Sequence, residues 1–213
     1  MKLQGAALSL LALCVTLGSI SAKAQTVYSN GPINGNVDAF TINFGFITSD
    51  TFNVTNNPTI ISGLSFGAWL IPGDTLTSVE LSISSQENGG IFFFDDTVNV
   101  NQGPCSTNNF GFNVCQENTT FNGPTLNSGT YWINLQNASV PSGDPVYWDQ
   151  NSGPSLASDN SVGSIPSEAF TILGSGTSTF DVTTTTGSVP EPSSMMLLGT
   201  GVLGLAGLVR RRF

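Results

Sequence analysis

Along most of the chain, apolar and polar residues alternate in short runs broken by clusters of Gly, Pro, Asn and Asp. Val79-Glu-Leu-Ser-Ile83 alternates with period two, as a strand with one buried face should. Thr130-Tyr-Trp-Ile-Asn-Leu135 reads the same way and follows the turn cluster Asn127-Ser-Gly129. Further strand-like runs lie at 40–47, 50–55, 60–71, 91–100, 109–115, 146–149, 169–173 and 179–185. Residues 25 to 188 show no amphipathic helical period. Roughly ten short strands with turn signals between them predict an all-β fold, an antiparallel β-sandwich of jelly-roll-like form. Disorder is disfavoured because the runs 40–47, 64–71 and 91–94 are too apolar to stay solvated.

Both ends depart from this pattern. Met1 and Lys2 give a basic start, and Ala6 to Ile20 is an almost unbroken apolar run. Ala22-Lys23-Ala24 then places small residues at the two positions a signal peptidase reads, which predicts a signal peptide cleaved between Ala24 and Gln25. Cys14 follows Leu13, where a lipobox needs a small side chain, so it reads as a passive member of the signal. At the other end, Ser193 to Val209 carries no charge, and Arg210, Arg211 and Arg212 follow. A helix of about 17 residues would rise roughly 26 Å, just short of a hydrocarbon core of roughly 30 Å. Its four glycines weaken it further, and no two of them are four apart, so a G-x-x-x-G dimerisation face is missing. The positive-inside rule keeps the arginines cytoplasmic and places everything before Val189 outside. Pro190 and Pro192 deny helix to the stem between them and leave it extended. The expected organisation is a signal peptide at 1–24, an extracytoplasmic sandwich at 25–182, a Thr-rich linker at 183–188 and a tail at 189–213.

Val189-Pro190-Glu191-Pro192-Ser193, the Gly-rich apolar stretch and the three arginines together resemble a PEP-CTERM sorting signal. The resemblance covers only the last 25 or so residues. It implies recognition by an exosortase, a membrane transpeptidase-like enzyme of Gram-negative bacteria that make exopolysaccharide. The chain would then be that enzyme's substrate, tethered to the membrane through its C-terminal helix before processing. Its destination would be the cell surface or the extracellular space, with exopolysaccharide as a potential partner.

Charge narrows what the middle can do. The five basic residues are Lys2, Lys23 and Arg210 to Arg212, and the chain has no histidine. Residues 25 to 188 hold 13 of the 14 acids, the remaining one being Glu191, so this stretch carries a net charge near −13. Nucleic acid and anionic membrane surfaces are excluded as its partners, since phosphate is gripped mainly by Lys and Arg. Histidine triads, histidine metal sites and lysine Schiff bases are excluded with them. The expectation is a domain that is not an enzyme. Cys105 and Cys115 would pair after export, closing a loop of about 11 residues and stabilising the fold by roughly 2–3 kcal/mol.

Three features are candidates for binding or chemistry. Tyr131-Trp132 and Asp144-Pro-Val-Tyr147-Trp148-Asp149 set aromatics beside polar groups, as sugar contact requires, although burial of Trp132 and Trp148 in the core is the preferred reading. The adjacent Asp95 and Asp96, with Asp74, Asp144, Asp149 and Asp159 in loops, read as solvated surface acids, with calcium the alternative because it takes hard oxygen ligands; no D-x-[DN]-x-[DN]-G loop is present. A carboxylate pair for glycoside hydrolysis is the third and least favoured candidate.

Overall fold

The computed structural model describes residues 24–176. Of the expected signal peptide at 1–24 only Ala24 is described, and the run at 179–185, the expected linker at 183–188 and the tail at 189–213 lie outside the described residues. Among the described residues every regular element is a β-strand, and no helix is long and apolar enough to cross a membrane.

Fourteen strands form two antiparallel sheets. The eight-stranded sheet is built around β4 (Thr59–Leu70), the longest strand. On one side of β4 lie β14 (Phe170–Gly176) and β11 (Tyr147–Asp149), which pair onward with β1 (Gln25–Ser29) and β2 (Ala39–Thr41). On its other side lie β9 (Thr125–Leu126) and β8 (Asn113–Thr120), and β8 carries β7 (Asn101–Thr107). The six-stranded sheet runs β13 (Gly163–Ile165), β12 (Ala157–Asp159), β3 (Thr48–Val54), β10 (Gly129–Ser139), β5 (Ser78–Gln86), β6 (Gly89–Asn99).

Period-two alternation sets which residues enter the core between the sheets. Val79, Leu81 and Ile83 of β5 face it beside Ile133 and Leu135 of β10, and all five are completely enclosed. The eight-stranded sheet answers with Leu64, Phe66, Trp148, Phe170 and Ile172, in one continuous cluster with Phe52 and Val54 of β3. Trp148 meets Phe66 and Phe170 edge-on, with ring centroids 6.3 and 5.6 Å apart. Cys105 and Cys115 sit opposite each other in the β7–β8 ladder and are joined by a disulfide, as their spacing predicts.

The antiparallel, sandwich-like all-β fold agrees with the sequence reading, but three runs differ. The run at 40–47 is strand only to Thr41. Phe44 and Gly45 take left-handed backbone angles (φ 56° and 85°), and the Asn43 side chain bonds the Asp144 carbonyl instead of continuing a ladder. The run at 91–100 begins earlier and ends at Asn99, where the chain leaves one sheet for the other and resumes as β7. The run at 109–115 opens with a turn, because Asn108 Oδ1 accepts the N–H groups of Phe110 and Phe112, so β8 starts only at Asn113. Nor are all the most apolar runs buried. Ile91, Phe92 and Phe93 remain 69, 51 and 42 % exposed on β6, which forms a sheet edge, and Phe44 is 63 % exposed.

Candidate functional site

The aromatics that read as one candidate site are divided between the two sheets. Tyr131 and Trp132 belong to β10, whereas Tyr147 and Trp148 belong to β11. Tyr131 turns toward the core and packs on Phe52 at 5.8 Å. Trp148 is fully buried, as expected, and its indole N–H donates to the Ala169 carbonyl at 3.1 Å. Trp69, which the sequence reading did not single out, is buried on the outer face of the eight-stranded sheet. Its N–H donates to Asp149 at 2.6 Å, and its ring lies against Phe110 and Phe112.

Trp132 differs from both. Alternation turns it to the outer face of the six-stranded sheet, where it is half-buried rather than part of the core. Its ring contacts no other aromatic ring among the described residues, and its N–H has no partner there. It floors a groove of about 590 Å³ lined also by Gln86, Glu87, Leu156, Ser164 and Ile165.

Both walls of this groove are fixed by hydrogen bonds. On one side the β5–β6 hairpin folds over the sheet, and the Asn88 N–H lies 3.0 Å from Asn134 Oδ1 and 3.2 Å from Ser49 Oγ. Asn134 Nδ2 donates to Ser82 and Ser84 at 3.0 and 2.8 Å, and the Ser84 hydroxyl donates to the Gln86 carbonyl at 2.7 Å. On the other side, Thr51 and Leu156 exchange two bonds of 3.1 and 2.9 Å, and the β12–β13 hairpin carries Ser164 and Ile165. The side chains of Gln86, Glu87 and Ser164 are exposed and bonded to no other described residue.

The acids part from expectation. Asp95 and Asp96 are exposed, but Asp149 and Asp159 are buried in short strands, and Asp50, Glu117 and Glu168 are buried with them. Asp149 is enclosed because the segment at 30–36 covers it. Its carboxylate accepts the N–H groups of Asn34 (2.8 Å) and Gly35 (3.0 Å) besides that of Trp69. Gly67 makes the close packing possible, since a Cβ there would stand 2.8 Å from Asp149 Cβ. Asp50 accepts the N–H groups of Thr51 and Glu168 at 2.6 and 2.7 Å, and Asp159 accepts the N–H and hydroxyl of Ser161. Burial nevertheless pushes Asp50 up to about 6 and raises Asp149 above the usual carboxylate range.

Glu117 and Glu168 have no such donors, and all four of their carboxyl oxygens are enclosed and unpartnered. Burial pushes Glu117 up to about 8. Burial, then the field of Asp50, Asp149, Asp38 and Asp159, holds Glu168 well above the ordinary range. Glu117 therefore favours its protonated form at neutral pH, and the shift of Glu168 runs in the same direction. Among the described residues no three acids converge closely enough to hold a metal ion.

The signal-cleavage residues divide at the edge of the described chain. Ala22 lies outside it, Ala24 is exposed, and Gln25 opens β1. Val189 to Pro192 and Arg210 to Arg212 lie outside it altogether. No curated protein matches the chain. Residues 188–212 match the model of the PEP-CTERM protein-sorting motif, in agreement with the resemblance carried by the tail.

Proposed function

We propose that this chain is an exported, non-enzymatic component of the cell surface or extracellular matrix, delivered and processed through its C-terminal signal. The match of residues 188–212 to the sorting motif carries the reading. An exosortase-like enzyme is the processing partner, and the cargo is the two-sheet domain, whose repeated crossings between sheets support a jelly-roll-like description. A binding or structural role in place of catalysis is supported by the chemistry at hand. Residues 25 to 188 contain no Lys, Arg or His to act as base, electrophile or anion clamp. The enclosed acids are committed to backbone donors or shut away from solvent.

Fractionation of cells expressing the full chain or a deletion of Arg210–Arg212 tests the sorting. The full chain should reach the surface or medium with a mass that lacks both ends, while the deletion variant stays in the membrane fraction or is misdirected. Equal release of both forms would refute the reading.

A further inference from the structure

We propose that the groove over Trp132 binds neutral hexopyranose units of a polysaccharide, a ligand role that goes beyond delivery by the tail. Of the three tryptophans, Trp69 and Trp148 have their indole N–H groups bonded and their rings packed on other aromatics. Trp132 has neither restraint among the described residues, although it stands on β10, an inner strand of the six-stranded sheet. A half-buried indole that nothing inside the protein uses is a flat, electron-rich platform, and a pyranose presents it with a face of polarised C–H groups. Around that platform stand the ring's own N–H, the Gln86 amide, the Glu87 carboxylate and the Ser164 hydroxyl, all uncommitted. Hydroxyls on a sugar's rim both donate and accept, so this mixture of donors and acceptors suits them. Leu156, 72 % exposed, adds an apolar flank.

Charge chooses among saccharides. The groove offers one carboxylate and no cation, and no residue from 25 to 188 could compensate a uronate or a sulfate. Anionic glycans are repelled and neutral ones are not. The volume of about 590 Å³ falls in the range of small-ligand sites. The bonds fixing both walls mean that little ordering remains to be done on binding, which favours affinity.

The test is affinity electrophoresis of the full chain, held in a detergent without a sugar headgroup. Native gels would contain hydroxyethylcellulose, galactomannan or dextran, with alginate as the anionic comparison. At least one neutral polymer should retard the protein, and alginate should not. Trp132→Ala should weaken the retardation at least about tenfold, as loss of a central aromatic anchor does. Gln86→Ala and Ser164→Ala, both at exposed positions, should each weaken it about three- to tenfold. Trp132→Phe should keep part of the binding, and unchanged melting curves would show that the variants fold. No retardation by any neutral polymer, equal retardation by alginate, or undiminished binding by a folded Trp132→Ala chain would each overturn the proposal. None of these results bears on sorting, which is read from cell fractions.

Discussion

A carboxyl group enclosed by protein can stay ionised only if donors or a cation replace its water, and this domain has no cation to offer. Asp149 solves the problem with three donors, so Asp149→Ala leaves the N–H groups of Asn34, Gly35 and Trp69 without an acceptor. The expected loss is about 2–4 kcal/mol in urea unfolding, with Trp69 fluorescence reporting the local change. Glu117 solves it by keeping its proton up to about 8, against an ordinary value of 4.5. Between those pH values the folded chain holds a proton that the unfolded chain has released, so stability falls as pH rises. The contribution is intact below 4.5 and lost above about 8, and Asp50, Asp149 and Glu168 act with the same sign. The melting temperature should therefore peak near about pH 4–5 and decline toward pH 9, and Glu117→Gln should flatten the decline. A melting temperature that rises from pH 5 to 8 would contradict the burial of these groups. The sequence shows that no basic partner exists, but not which acids need one. Asp149 follows Trp148 in a strand and would face solvent on alternation alone, were it not for a covering segment more than a hundred residues earlier.

Single strands were legible where one face is apolar and the other polar, as in β5 and β10. They were misread where the chain changes sheets or where a polar side chain takes over a backbone bond, as at Asn99 and Asn108. β6 exposes Ile91, Phe92 and Phe93 along a sheet edge with no lysine to discourage pairing, and only Asp95 and Asp96 follow them. These two aspartates act as charged gatekeepers, and burial, Glu80 and Asp96 already raise Asp95. Replacing both with Ser should speed aggregation at neutral pH, seen by light scattering, and leave the monomer's circular dichroism unchanged. The β7–β8 hairpin depends on its cross-link in a different way. Opening the loop with Cys105→Ser and Cys115→Ala should cost about 2–3 kcal/mol, a fall of roughly 4–12 °C in Tm. The Trp132 groove lay beyond sequence reasoning because its walls come from β5, which neighbours β10, and from β12 and β13, which the sheet order places on the far side of β3.

Across residues 25–188 like charges repel with no basic side chain to relieve them, and the C-terminal sorting motif is the feature best read from sequence. Salt should stabilise the domain by screening, whereas EDTA should leave its melting unchanged, because among the described residues no three acids gather closely enough to hold a metal ion. A chelator-dependent drop in Tm would point to a metal those carboxylates hold after all. The absence of basic side chains reaches further than electrostatics. Trypsin-like proteases cut after Lys or Arg and find no bond to cleave between Lys23 and Arg210. Of the four glutamates among the described residues, Glu117 and Glu168 are enclosed, so a glutamyl protease meets accessible sites only at Glu80 and Glu87. Toward trypsin-like enzymes the domain is a durable object, and a routine tryptic peptide survey would pass over it.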